Sequence, residues 1–207
     1  MLVYKNIRVL VQELKNKYET DNVYELCDAM KILVLPESLG RKPDSIKGFF
    51  LMHRNVKSIT YNCDLPDYLQ DVIVSHEVGH AVLHQGAAIK SFHDVVMFDK
   101  VSPMEKEANV FAAELLISDE ELLKNLRSTR DFFKAAQCLY VPPQLFELKY
   151  RQLMSKYHLP EPPIYSDSRF LKDIYTGIED DEDDDYPDRG EEGDADYGFD
   201  VYTDKAR

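Results

Sequence analysis

The stretch from Leu69 to Leu83 constrains the fold more tightly than any other. Leu69, Val72, Ile73, Val74, Val78, Ala81, Val82 and Leu83 spread round more than one face of a helix, the pattern of a rod surrounded by core. Within it stand His76, Glu77 and His80. A carboxylate and two imidazoles in the middle of a buried helix are costly unless they face a polar cavity or a cation. Any fold for this chain must wrap an apolar helix and still open one wall of it to a polar site.

Helical geometry says what that site suits. Residues four apart lie about 6 Å along the axis and about 40° round it, so His76 and His80 project side by side and can close on one metal ion. Glu77, offset by about 100°, need not bind the same ion and is placed to hold a water at an open coordination position. Zinc with three protein ligands and one water brings the pKa of that water to about 7. A neighbouring carboxylate then takes the proton during attack on a carbonyl and passes it to the leaving amine. The plainer reading, two satisfied core histidines and an incidental acid, leaves the buried Glu77 unexplained.

Such a site needs a third ligand. The residue six beyond His80 is Gly86, so no histidine stands at the metzincin spacing. The next helical stretch, opened by Ser102-Pro103 as N-cap and first turn, offers Glu105 and Glu107. Glu105 also reads as the acid of a capping box begun by Ser102, and spacing alone leaves both acids open. His84 continues the i, i+4 series but sits too far along the helix to ligate, so it reads as a polar residue supporting the site. His93, in the 87–101 loop, is a candidate oxyanion stabiliser beside the simpler reading of an exposed loop histidine. Tyr61 ends the strand before the apolar helix. Val56–Tyr61 is the candidate substrate-binding edge, with main-chain bonds giving affinity, unless Tyr61 simply packs against the helix.

Around this site the pattern predicts an α+β domain over residues 1–159. Ile7, Leu10, Val11, Leu14 and Tyr18 predict a helix over about 4–19, and Asn22 with Glu25 starts a shorter one. Three β-rich runs follow, at 32–35, 46–52 and 56–61, the last two joined as a hairpin at Arg54-Asn55. They predict a small, mostly antiparallel sheet. Further helices are expected from Ser118, over 131–139 and after Pro142-Pro143. The last two resemble a helix-turn-helix, but few bases mark the second, which favours a packing corner over a DNA reader.

Charge sharpens the division. From Glu161 to Arg207 there are 17 Asp+Glu and 5 Lys+Arg, so that segment carries −12 of the chain's −13. Residues 160–207 read as an acidic, disordered tail, most simply a solubilising extension, more pointedly a competitor with DNA for a basic partner. The nearly neutral body argues against direct nucleic-acid binding. With three scattered cysteines, no apolar run long enough to span a bilayer and no signal-peptide pattern, the expectation is a cytoplasmic protein without disulfides.

The His76-Glu77-Val78-Gly79-His80-Ala81-Val82-Leu83-His84 helix, the strands before it, and Glu105-x-x-Ala108-Asn109-x-Phe111-Ala112-Ala113-Glu114-Leu115-Leu116 together resemble the ImmA/IrrE family of metallo-endopeptidases over about residues 20–118. The resemblance implies a zincin-like fold of gluzincin type and one Zn2+ held by His76, His80 and Glu105. It also implies Glu77 as the catalytic acid–base and Asn109 as the side chain that orients a ligand imidazole. Many relatives carry a helix-turn-helix module, for which the residues before the match are too few here. The resemblance therefore implies a standalone cytoplasmic peptidase that cleaves a separate helix-turn-helix repressor of a phage or mobile element. The alternative is a non-catalytic anti-repressor that sequesters the repressor around a structural metal.

Overall fold

The computed structural model describes residues 2–42, 44–84, 103–167 and 170–171, and Met1–Gly177 form one compact unit. The expected 87–101 loop with His93, the Ser102 cap and most of the acidic tail lie outside the described residues. The described residues hold seven helices and one three-stranded sheet, an α+β arrangement. None of these helices is long and apolar enough to cross a membrane.

Helix α1 (Leu2–Tyr18) turns Ile7 and Val11 into the core. Helix α2 (Val23–Ala29) starts where the Asn22 side chain accepts hydrogen bonds from the Tyr24 and Glu25 amides, satisfying two of the four donors a helix start leaves open. Strands β1 (Ile32–Glu37), β2 (Gly48–His53) and β3 (Val56–Asn62) follow. Arg54 and Asn55, both at positive φ, make the two-residue turn whose twist suits a tight hairpin.

Sheet order is β1-β3-β2, with β3 antiparallel to β2 and parallel to β1. The expectation of a mostly antiparallel sheet is thus corrected: one of the two ladders is parallel. The chain crosses from the end of β1 over the end of β3 before β2 begins, so the returning hairpin strand enters between them in the direction of β1. Buried Asn62 holds this crossover. Its Nδ2 donates to the Gly40 and Ile46 carbonyls, and its Oδ1 accepts from the Leu39 and Asp64 amides.

Helix α3 (Asp67–Leu83) runs beneath the sheet, with Leu69, Val72, Ile73, Val74 and Val78 buried. It ends at Leu83, with His84 as its cap. Helix α4 (Pro103–Leu116) lies against it, buried from Ala108 to Leu115. The approach is close because position 79 has no side chain. A Cβ there would meet the Ala108 Cα at 3.0 Å and the Phe111 Cβ at 3.2 Å.

Helices α5 (Asp119–Thr129), α6 (Phe132–Cys138) and α7 (Pro143–Tyr157) complete the body. Ser118 caps α5 through the Glu121 amide and Asp131 caps α6 through that of Lys134. Phe132 stacks edge-on against Phe146, ring centres 5.0 Å apart, so the α6–α7 corner is built by packing. Two of its bases are bound to acids: Lys149 to Glu114 and Asp119, and Arg151 to Glu147. Beyond α7 the chain stays on the body, with the Tyr150 hydroxyl donating to the Pro160 carbonyl and Phe170 and Leu171 buried. Cys27, Cys63 and Cys138 are all free thiols.

Candidate metal centre

Two turns of α3 and the first turn of α4 build the site. The apolar faces of α3 are consumed by the core, which leaves His76, Glu77 and His80 on the wall towards α4 and the start of β2. His76 and Glu77 are 6% and 7% exposed, so whatever they face replaces bulk water. The close approach at Gly79 sets α4 at Ala108, and one turn earlier Glu105 reaches the histidines.

The donor atoms converge. His76 Nε2 and His80 Nε2 are 3.1 Å apart, and they lie 3.4 Å and 3.5 Å from the Glu105 oxygens Oε2 and Oε1. Among the described residues this is the one group of three or more His, Cys, Asp or Glu that can offer an ion one ligand atom each, all within 4.8 Å. Tetrahedral coordination at roughly 2.0–2.1 Å sets neighbouring ligand atoms about 3.3–3.4 Å apart. The three residues therefore fit a small divalent cation.

The electrostatics agree. Burial on its own would push the pKa of His76 down. The hydrogen bond with Glu105 and the negative charges of Glu77 and Glu105 outweigh it and hold the imidazole above its ordinary value. A site that favours the charged form of a nearly buried ring is one that favours positive charge. A side-chain hydrogen bond with Asn109 adds to this pull, and the Asn109 Oδ1 and His76 Nδ1 are both buried. Glu77 lies where β2 begins: a Cβ on Gly48 would come within 3.7 Å of the Glu77 Cγ and collide with Ile73.

The other sequence candidates divide. Glu107 leaves α4 about 200° round from Glu105 and is not part of the cluster. Its Oε2 sits 2.9 Å from His84 Nε2 instead. Tyr61 packs edge-to-face on Tyr24, ring centres 6.4 Å apart. Its strand, β3, is central, with both ladders occupied, so Val56–Tyr61 cannot be the free edge proposed for a substrate strand. His93 lies outside the described residues. Periodicity reasoning missed Gly48 and Gly79. An isolated glycine inside an apolar helix was the available signal for Gly79, since it usually marks close packing.

Comparison with known proteins extends this picture. A model of the IrrE N-terminal-like domain, peptidase M78, matches residues 27–161, from within α2 to beyond α7. "Uncharacterized immunity region protein 2" of Bacillus phage phi105 is 36% identical over 148 residues, covering 70% of this chain and 90% of that protein. "Metallopeptidase ImmA" of Bacillus subtilis (strain 168) is 31% identical over 160 residues, covering 73% and 88%.

Proposed function

The chain belongs to the ImmA/IrrE family of metallopeptidases, and from that premise we propose that it is a zinc-dependent endopeptidase of the cytoplasm that cuts a helix-turn-helix repressor of a phage or other mobile element. The observation that carries the reading is the convergence of His76, His80 and Glu105 on one point with Glu77 beside them. These three residues would hold one Zn2+, an N,N,O donor set of the kind found in catalytic rather than closed structural sites. When bound, zinc supplies Lewis acidity, drawing charge from an oxygen set against it.

The remaining work falls to the chain's own groups. The Glu77 carboxylate accepts a proton from the attacking water as the water oxygen bonds to the peptide carbonyl carbon. When the C–N bond breaks, Glu77 returns that proton to the leaving nitrogen. Asn109 steadies the His76 ring. With β3 central, the edge for an extended substrate is β2, whose first residue, Gly48, abuts Glu77; main-chain pairing there gives affinity without demanding a particular side chain.

Two observations support a DNA-binding protein, rather than DNA, as the target. Lys149 and Arg151 on the corner that resembles a helix-turn-helix are tied to acids of the body. One relative is named as an immunity region protein of a phage.

The test is the Glu77→Gln variant beside the neighbouring-gene repressor. Zinc content should stay at one per chain while cleavage falls by about 10²–10⁴-fold. Cleavage at the wild-type rate would refute the role of Glu77. Equal derepression by both proteins, with the repressor intact and bound, would favour sequestration around a structural metal.

A further inference from the structure

Four side chains form an unbroken line from the site to the outer turn of α4. Glu107 Oε2 lies 2.9 Å from His84 Nε2, His84 Nδ1 lies 3.1 Å from His80 Nδ1, and His80 Nε2 lies 3.1 Å from His76 Nε2. His84 is therefore on the far side of the His80 ring from the cluster and cannot share its ion. The His84 amide still donates to the His80 carbonyl at 2.9 Å, so the two rings keep a fixed spacing although α3 has ended.

Hydrogen-bond roles along the line follow from one fact. A carboxylate can only accept, so His84 Nε2 carries the hydrogen bonded to Glu107. A neutral imidazole donates from one nitrogen and accepts at the other, which makes His84 Nδ1 an acceptor. His80 Nδ1 must then be the donor, and the lone pair of His80 Nε2 points at His76 and Glu105. We infer that Glu107 and His84 are positioning residues, a relay that sets the tautomer and orientation of His80 so that Nε2 is held ready for a metal ion. The relay would do for His80 what Asn109 would do for His76: Glu105 lies against the two Nε2 atoms and Glu107 against His84. The functional half of this inference rests on the metallopeptidase reading; the tautomer itself does not.

Long-range 1H–15N NMR on the metal-free protein, with its rings neutral, reads which ring nitrogen bears the hydrogen. His80 in the wild type should be protonated on Nδ1, and Glu107→Ala should move it towards a mixture or to Nε2. Zinc affinity, measured by competition with a chelator, should weaken by about 10–100-fold in His84→Leu and in Glu107→Ala. His84→Gln, whose amide can accept from His80 and donate to Glu107, should restore it to within about threefold of the wild type. A purely packing role would not distinguish Gln from Leu in this way. Wild-type His80 protonated on Nε2, or a folded His84→Leu that binds zinc as tightly as the wild type, would overturn the relay. A wild type that takes up no zinc would instead defeat the metallopeptidase reading, and the NMR result would still decide the relay.

Discussion

Helix α4 carries two acids nine residues apart, the partly buried Glu105 and the buried Glu114, and their surroundings are opposites. Near its C-terminal end Glu114 meets Lys149 Nζ at 2.6 Å, and the same ammonium lies 2.9 Å from Asp119, which Arg8 also binds. At its first turn Glu105 meets two imidazoles whose nitrogens face each other at 3.1 Å. The first cluster brings its own cations from α1 and α7 and joins elements far apart in the chain. The second gathers acids and lone pairs on one point, which suits a cation from solution. Two carboxylates on one helix thus differ in kind: one ties the fold together, the other faces a point that a cation can fill.

The sharpest way to break this contrast is Lys149→Met. Removing the built-in cation strands Glu114 in the core and should cost about 3–5 kcal/mol, roughly 6–20 °C in Tm. The double variant Lys149→Met/Glu114→Leu should recover most of it, because an apolar pair avoids the desolvation of both charges. A Lys149→Met melting curve superimposable on the wild type would remove the distinction.

Glu105→Ala should do the reverse. Zinc affinity should fall at least about a hundredfold, while the metal-free protein melts within a few degrees of the wild type. Chelator competition and calorimetry read the two halves separately. Gly79→Ala tests the device that brings the clusters' shared helix against α3. With backbone atoms of Ala108 in the way, the helices must separate, at a cost of about 1–3 kcal/mol, and zinc should bind more weakly as Glu105 retreats.

The smallest effect concerns acid. Burial would raise the pKa of Asp119, but its hydrogen bonds and charge attraction to Lys149 and Arg8 outweigh burial and hold it below the usual carboxylate range. Because the folded value is the lower one, the unfolded chain binds more protons as pH falls through about 3.9. Asp119 therefore stabilises the fold above that pH and loses its contribution progressively below it. Urea midpoints of the metal-free protein should drop between pH 6 and 3, and less steeply in Asp119→Asn.

How much of this could be read in advance differs by element. The hairpin at Arg54-Asn55, the helix starts at Asn22 and Ser118, and the side-by-side histidines are all properties of neighbours within a few residues. Position along the chain nearly settles them. The parallel β1–β3 ladder escaped, since strand propensity carries no information about which strand inserts beside which. Tyr61 was placed on an edge for the same reason. The partners of Lys149 were out of reach too, since nothing within α7 says that α4 and α5 present Glu114 and Asp119 to it.

The sequence by itself determined that a paired imidazole motif lies in a helix the protein must bury, because a helix repeats every 3.6 residues whatever surrounds it. It also determined that two acids on the following helix were available to that motif. Only the tertiary structure decided between them. The glycine contact at Gly79 fixes the depth of α4 against α3, and that separation directs Glu105 to the ring nitrogens and leaves Glu107 to His84. Choices of that kind depend on distances between elements, which no local pattern of residues encodes.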